Sequence, residues 1–164
     1  MSGLKLRGEF TWEVWSPEGK IVRLETITNG ITVDGITDMF EQYLRQGTGI
    51  TPYFGLIESV GYSSVSSLDT MAAHAGWTEV TDYNEATRPA WAPDIVASAT
   101  ATNSIKGLFT MTAAKDVKGL FITTESTKSG TTGKLWCTAI FDLVNSLQSG
   151  QVARAGYALS GVGA

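Results

Sequence analysis

At 164 residues the chain is long enough for one domain with a sizeable core and too short for two, so a single domain over residues 1–164 is expected. A net charge of -4, a pI near 4.9 and the lack of any Lys or Arg tract set the surface against phosphate and argue against direct nucleic-acid binding. No charged-then-apolar leader opens the sequence, and no apolar run approaches the roughly eighteen residues of a membrane helix, so neither secretion nor a membrane is expected.

In chain order, FTWEVW alternates, with Phe10, Trp12 and Val14 on one face and Thr11, Glu13 and Trp15 on the other. SPEGK then turns the chain into IVRLETI, which predicts a hairpin over residues 10–27. Trp15 lies on the nominally polar face, where so large a ring must meet a second layer or another subunit. Between residues 32 and 46 the period changes: Ile36, Met39, Phe40, Tyr43 and Leu44 draw one apolar stripe along a helix. Thr32 or Asp34 is placed to cap it, Gly47 to end it, and Asp38, Glu41, Gln42 and Arg45 to face water.

PYFGLIESV reads as a short buried strand, and Leu68 to Ala75 as two turns of a second helix capped by Ser67 or Asp69. A loop punctuated by Pro89 and Pro93 follows. Beyond it IVASATAT, LFTMTA, VKGLFITTES, KLWCTAIFDLV and ARAGYALSG are strand-like, joined by short Gly, Ser and Asn clusters. With the hairpin this makes about eight strands, and the fold expected is mainly β: a two-layer antiparallel β-sandwich of jelly-roll type with one amphipathic and one short helix.

Candidates for chemistry concentrate in DTMAAHAGWTEVTDYNEATRPAW, which holds the only histidine, His74. No G-x-S-x-G elbow accompanies it, so a hydrolytic triad lacks its nucleophile signature. Cys137 is the lone cysteine and sits in an apolar run, as a small buried hydrophobe does, and one His with one Cys supplies no zinc-ligand spacing. Asp34, Asp38 and Glu41 do not match a calcium loop. Glu79 with Asp82 or Glu85 is a carboxylate pair only by proximity, and GTTGK lacks the phosphate-loop spacing. No metal or cofactor is expected. Trp77, Tyr83 and Trp91 would make a platform for sugar rings if exposed, whereas core or interface is the usual place for such rings. Arg88, close to Trp77 and Trp91, is suited to cation–π packing with Glu79 or Glu85 as ion partner.

The elements FGLI with GY, then DTMAAHAGWTE, then Tyr83 with ATRPAW, then KGLF with SGTTGKLW, and a final YALSG, fall in order between Pro52 and Gly161. In these the chain resembles a group of tailed-bacteriophage and prophage structural proteins. Within TKSGTTG it departs from a plain glycine pair with a serine, a change that a turn tolerates. The resemblance implies a non-enzymatic decoration, or cement, protein on the outer surface of the capsid, made in the host bacterial cytoplasm. It implies contact with the major capsid protein and a homo-oligomer, a trimer before a dimer, and carries over no catalytic residue. Trp12, Trp15, Trp77, Tyr83, Arg88 and Trp91 are then the candidate interface, the alternative for each tryptophan being burial in its own subunit. Two other functions stay open: a tail- or fibre-associated protein that binds host glycan through the aromatic loop, and a small hydrolase using His74, Glu79 or Asp82.

Overall fold

The computed structural model describes residues 4–44 and 49–163. β1 (Leu4–Trp15) and β2 (Ile21–Thr28) make the expected hairpin, closed at Ser16–Lys20, where Gly19 takes a φ of 78°. Alternation along β1 sends Phe10, Trp12 and Val14 into the core, at 0%, 0% and 3% exposure. After β3 (Gly30–Ile31) come α1 (Val33–Leu44), β4 (Tyr53–Glu58) and β5 (Glu79–Val80). The remaining strands are β6 (Ile95–Ala97), β7 (Thr100–Thr102), β8 (Gly107–Thr110), β9 (Lys115–Thr123), β10 (Leu135–Leu147) and β11 (Val152–Gly163).

These strands form two antiparallel sheets. The first runs β2-β1-β11-β7-β6, with β8 also on β11, and the second β3-β10-β9-β4-β5. Phe10, Trp12, Phe109 and Tyr157 from the first join Phe54, Leu120, Ile122 and Phe141 from the second in one cluster. Trp12 meets Phe141 at 5.6 Å between centroids, and Phe10 meets Phe54 at 6.2 Å, so the two layers interlock through rings. Burying each such side chain is worth about 1.5–3 kcal/mol. Cys137 is among them, 1% exposed, and burial pushes its thiol up to about 12, as expected of an inert hydrophobe.

The reading of a mainly-β fold with two antiparallel sheets and an amphipathic helix therefore holds, while several local expectations change. Thr32 is the cap of α1, accepting from Gly35 N at 3.0 Å. The helix docks on β10 not through its full apolar stripe but through Gly35, Asp38 and Met39. A side chain at Gly35 would collide with the Trp136 backbone. Asp38, expected in water, is 2% exposed and accepts Trp136 Nε1 at 2.7 Å, whereas Phe40 from the stripe is 51% exposed. The need to satisfy a buried indole N–H turns the helix toward its acid. The expected helix end at residues 45–47 lies outside the described residues, as do the side chains of Tyr43 and Leu44.

Residues 68–75 form turns, not a helix. Thr70 and Ala73 exchange backbone hydrogen bonds at 3.0 and 3.1 Å, which closes a tight turn in place of a helical ladder. Asp69, the expected cap, instead accepts Ser66 N at 2.9 Å and Trp77 Nε1 at 3.0 Å. IVASATAT is two strands, folded back at Ser98 and Ala99, whose φ values are 50° and 58°. Two successive positive φ values match the twist of a two-residue hairpin.

Candidate functional site

The aromatic stretch singled out from the sequence crosses from the β4–β5 edge of one sheet to β6 of the other. Its first part roofs the outer face of the second sheet. Trp77 and Met71, each 2% exposed, lie on Phe121, Ile57 and Leu135 to form a second apolar cluster outside the main core. Gly55 is required beneath it, because it pairs with Phe121 and a Cβ there would overlap that ring. His74 stacks on Trp77 at 3.9 Å and 19°, with Nδ1 3.0 Å from the Trp77 carbonyl oxygen.

Arg88 holds the second part. Its side chain has no exposed area, and it donates from Nε and Nη2 to the two Glu79 oxygens at 2.8 and 2.7 Å. Nη1 donates to Glu125 O at 2.8 Å and Nη2 also to Gly130 O at 3.2 Å, while the guanidinium lies 5.3 Å from the Phe121 centroid. Glu79 accepts a further bond from Ser129 N at 2.7 Å. A fork-on-fork pair with its remaining donors bound to carbonyls is the arrangement in which a buried charge is tolerated. It ties the crossover, β5 and the loop between β9 and β10 to one point.

The rest of the crossover is equally engaged. Trp91 donates from Nε1 to Tyr157 O at 3.1 Å, and its backbone N–H to Pro52 O at 2.8 Å. Tyr83 packs edge-on to Phe109 at 5.0 Å and carries the Lys128 ammonium 3.8 Å from its centroid. Burial and the Glu79 charge push its phenol upward. Glu85 accepts from the N–H and hydroxyl of Thr110 at 2.9 and 2.8 Å, and Asp82 pairs with Lys115 at 3.2 Å. Lys115 also reaches Glu58 at 2.9 Å, and the hydrogen bonds to Glu58 and Asp82 raise its pKa.

Five of the six candidate interface residues are thus enclosed by their own chain: Trp12, Trp77, Tyr83, Arg88 and Trp91 are 0–3% exposed. That corrects their reading as anchors for a partner, since a ring with no free face has nothing to offer. Trp15 differs. It lies half-buried on the outer face of the first sheet, with Arg154 4.5 Å from its ring centroid and its Nε1 donating to Glu13 at 3.1 Å. Lys106 joins Glu13 in the same group, and Leu108 and Ile105 beside it are 39% and 83% exposed. Burial pushes the Glu13 carboxyl up, but its bonds to Lys106 and Trp15 and the charges of Lys106 and Arg154 outweigh this and hold it below the usual range. A shallow depression of about 610 Å³ covers this group.

A smaller cleft of about 230 Å³ lies at the roof, lined by His74, Trp77, Glu79, Arg88 and Thr131 among others. Its charged groups already bind each other. Among the described residues no three His, Cys, Asp or Glu side chains converge as metal ligands, and no helix is long and apolar enough to cross a membrane. The sequence missed the role of Asp38 and the Trp15–Arg154 stack. The second was foreshadowed by an aromatic at an outward position.

Taken together, the fold and this region define a two-sheet β protein whose aromatic crossover serves as internal bracing. Neither a family model nor a curated protein matches the chain.

Proposed function

We propose that this is a non-enzymatic structural component of a tailed-phage virion, a decoration protein that bridges major capsid subunits on the outer surface of the head. One observation carries the reading: Glu79, Asp82 and Glu85, the acids proposed for chemistry, are each bonded within the fold, to Arg88, Lys115 and Thr110. The glycan-binding alternative needs an exposed ring platform, and Trp77, Tyr83 and Trp91 are 2%, 3% and 3% exposed.

The contact face in this reading is the outer side of the first sheet, where Trp15, Leu108 and Ile105 present apolar area around a compensated set of charges. A protein that binds the assembled shell better than its separated subunits stabilises the shell by linkage. Weak contacts repeated over a symmetric oligomer add up if geometry lets them engage together. The jelly-roll form belongs to the same proposal. It is supported by the pairing of β1 with β11 and by four crossings between the layers among the described strands, while the consecutive pairs β1–β2, β4–β5, β6–β7 and β9–β10, each within one sheet, are where the strand order departs from it.

Antibody or gold label on purified particles tests the placement. Label distributed over heads, with heads lacking the protein releasing DNA at lower temperature, is the expected outcome. Label confined to tails would reject it.

A further inference from the structure

β2 is an edge strand. Among the described residues its one sheet neighbour is β1, and Ile21, Val22 and Leu24 along it are 50%, 56% and 61% exposed. An uncovered edge of this kind is a template for another strand, and proteins commonly guard it with a lysine or another charge that repels a copy of itself. The charges here are of opposite sign. Arg23 and Glu25 sit two positions apart on the same side of the strand and already form an ion pair with each other.

That spacing decides which strand fits. In a two-fold pairing residue i faces j while j faces i. Antiparallel pairs alternate between two hydrogen-bonding types, so i and j must also be separated by an even number of positions. The registers at the middle of β2 are therefore centred on Arg23, on Leu24 or on Glu25. The first sets Arg23 against Arg23 and the third Glu25 against Glu25, and like charges directly opposite are destabilising. The second sets Arg23 against Glu25 twice and Leu24 against Leu24. A strand reading Arg-Leu-Glu at its centre is complementary to itself.

We propose that β2 pairs antiparallel with β2 of a second copy, with the two-fold axis at Leu24, so that the first sheets of the two copies run together. Arg23 and Glu25 of both copies form an alternating ring of four charges. Val144 of β10, 38% exposed, lies alongside, its carbonyl 3.5 Å from Arg23 Nη1. The bulge at Val22, which has no partner between Val14 and Trp15 of β1, ends the regular part of the edge at Arg23, which keeps the contact short and its strength dependent on the charges. The contact does not rest on the virion reading: placement of the protein on heads and pairing through β2 succeed or fail separately.

The test is sedimentation equilibrium on the full chain and on R23E, E25R and the double swap R23E/E25R, with a melting profile for each to confirm folding. Each single reversal replaces two attractive pairs by two repulsive ones and is expected to weaken the dimer about tenfold or more. The double swap restores it. In addition L24C, whose Cα atoms would face each other at about 4.5–5.5 Å, is expected to form a disulfide-linked dimer on oxidation. T26C, two positions from the axis and without its own copy opposite it, is expected to stay uncrosslinked. Charge reversals that leave association unchanged, a double swap that stays dissociated, or L24C that does not crosslink would overturn the proposal. So would a monomer at every concentration, which leaves the edge to a different partner, or a trimer indifferent to these charges.

Discussion

The outer faces of the two sheets have opposite fates. On the second sheet, residues 59–78 form a roof that buries Trp77 and Met71 on Phe121, and Arg88 pins it from the side. On the first sheet the outer face stays open, and Trp15 finds its cover in Arg154 of the neighbouring strand. An aromatic residue in this sequence therefore signals contact only where no segment of the same chain is available to close over it. The density of tryptophan and charge that marks the stretch from Asp69 to Trp91 reports bracing, while the more modest Glu13-Val14-Trp15 sequence lies on the face that the described residues leave open.

The largest effect is expected at the Arg88–Glu79 pin. R88A leaves Glu79 buried without its cation, and a loss of about 3–5 kcal/mol is expected, read as the shift in a urea unfolding midpoint. Removing the acid as well, in R88A/E79A, should recover part of that loss. If R88A costs no more than the double variant, the bracing role fails. Next come the two tryptophans. W77A should cost about 3–5 kcal/mol and speed hydrogen exchange in the roof, whereas W15A, at a surface cation–π pair, should cost about 1 kcal/mol or less. Equal effects at the two positions would erase the distinction between closed and open faces.

The smallest effect is expected in acid. Hydrogen bonds from Thr132 and Thr127 lower Glu125 from the ordinary 4.5 to about 2 in the loop that supplies carbonyls to Arg88. A folded pKa below the unfolded one contributes stability fully above 4.5, and that contribution is lost as the pH falls toward 2. Melting temperatures across this window should fall less steeply for E125Q than for the unmodified chain, and parallel curves would remove Glu125 from the bracing.

Strict alternation made β1 readable, because a period of two leaves Phe10, Trp12 and Val14 one common side. The buried runs of β9 and β10 were readable for a related reason, their length and apolar content matching a two-sided strand. Asp38 was not readable. Its helical position looks solvated until Trp136, far away in sequence, places an N–H in front of it. The turns at 68–75 were hidden for a related reason, since the Asp69 carboxylate that reads as a helix cap accepts Ser66 N and the Trp77 indole instead. The Ser98–Ala99 reversal lacks the Asn or Gly that usually announces positive φ. For the candidate site, Arg88 with Glu79 was foreseeable as a pair, but whether the surrounding rings faced in or out depended on the path of the crossover.

β11 lies between β1 on one side and β7 and β8 on the other, although it follows every other described strand in the chain. On the ribosome, the hairpin made first and the strands made midway must wait for this late segment before they can be joined. Assembly of the first sheet thus waits on contacts distant in sequence, and nascent chains interrupted before residue 152 should be prey to proteases.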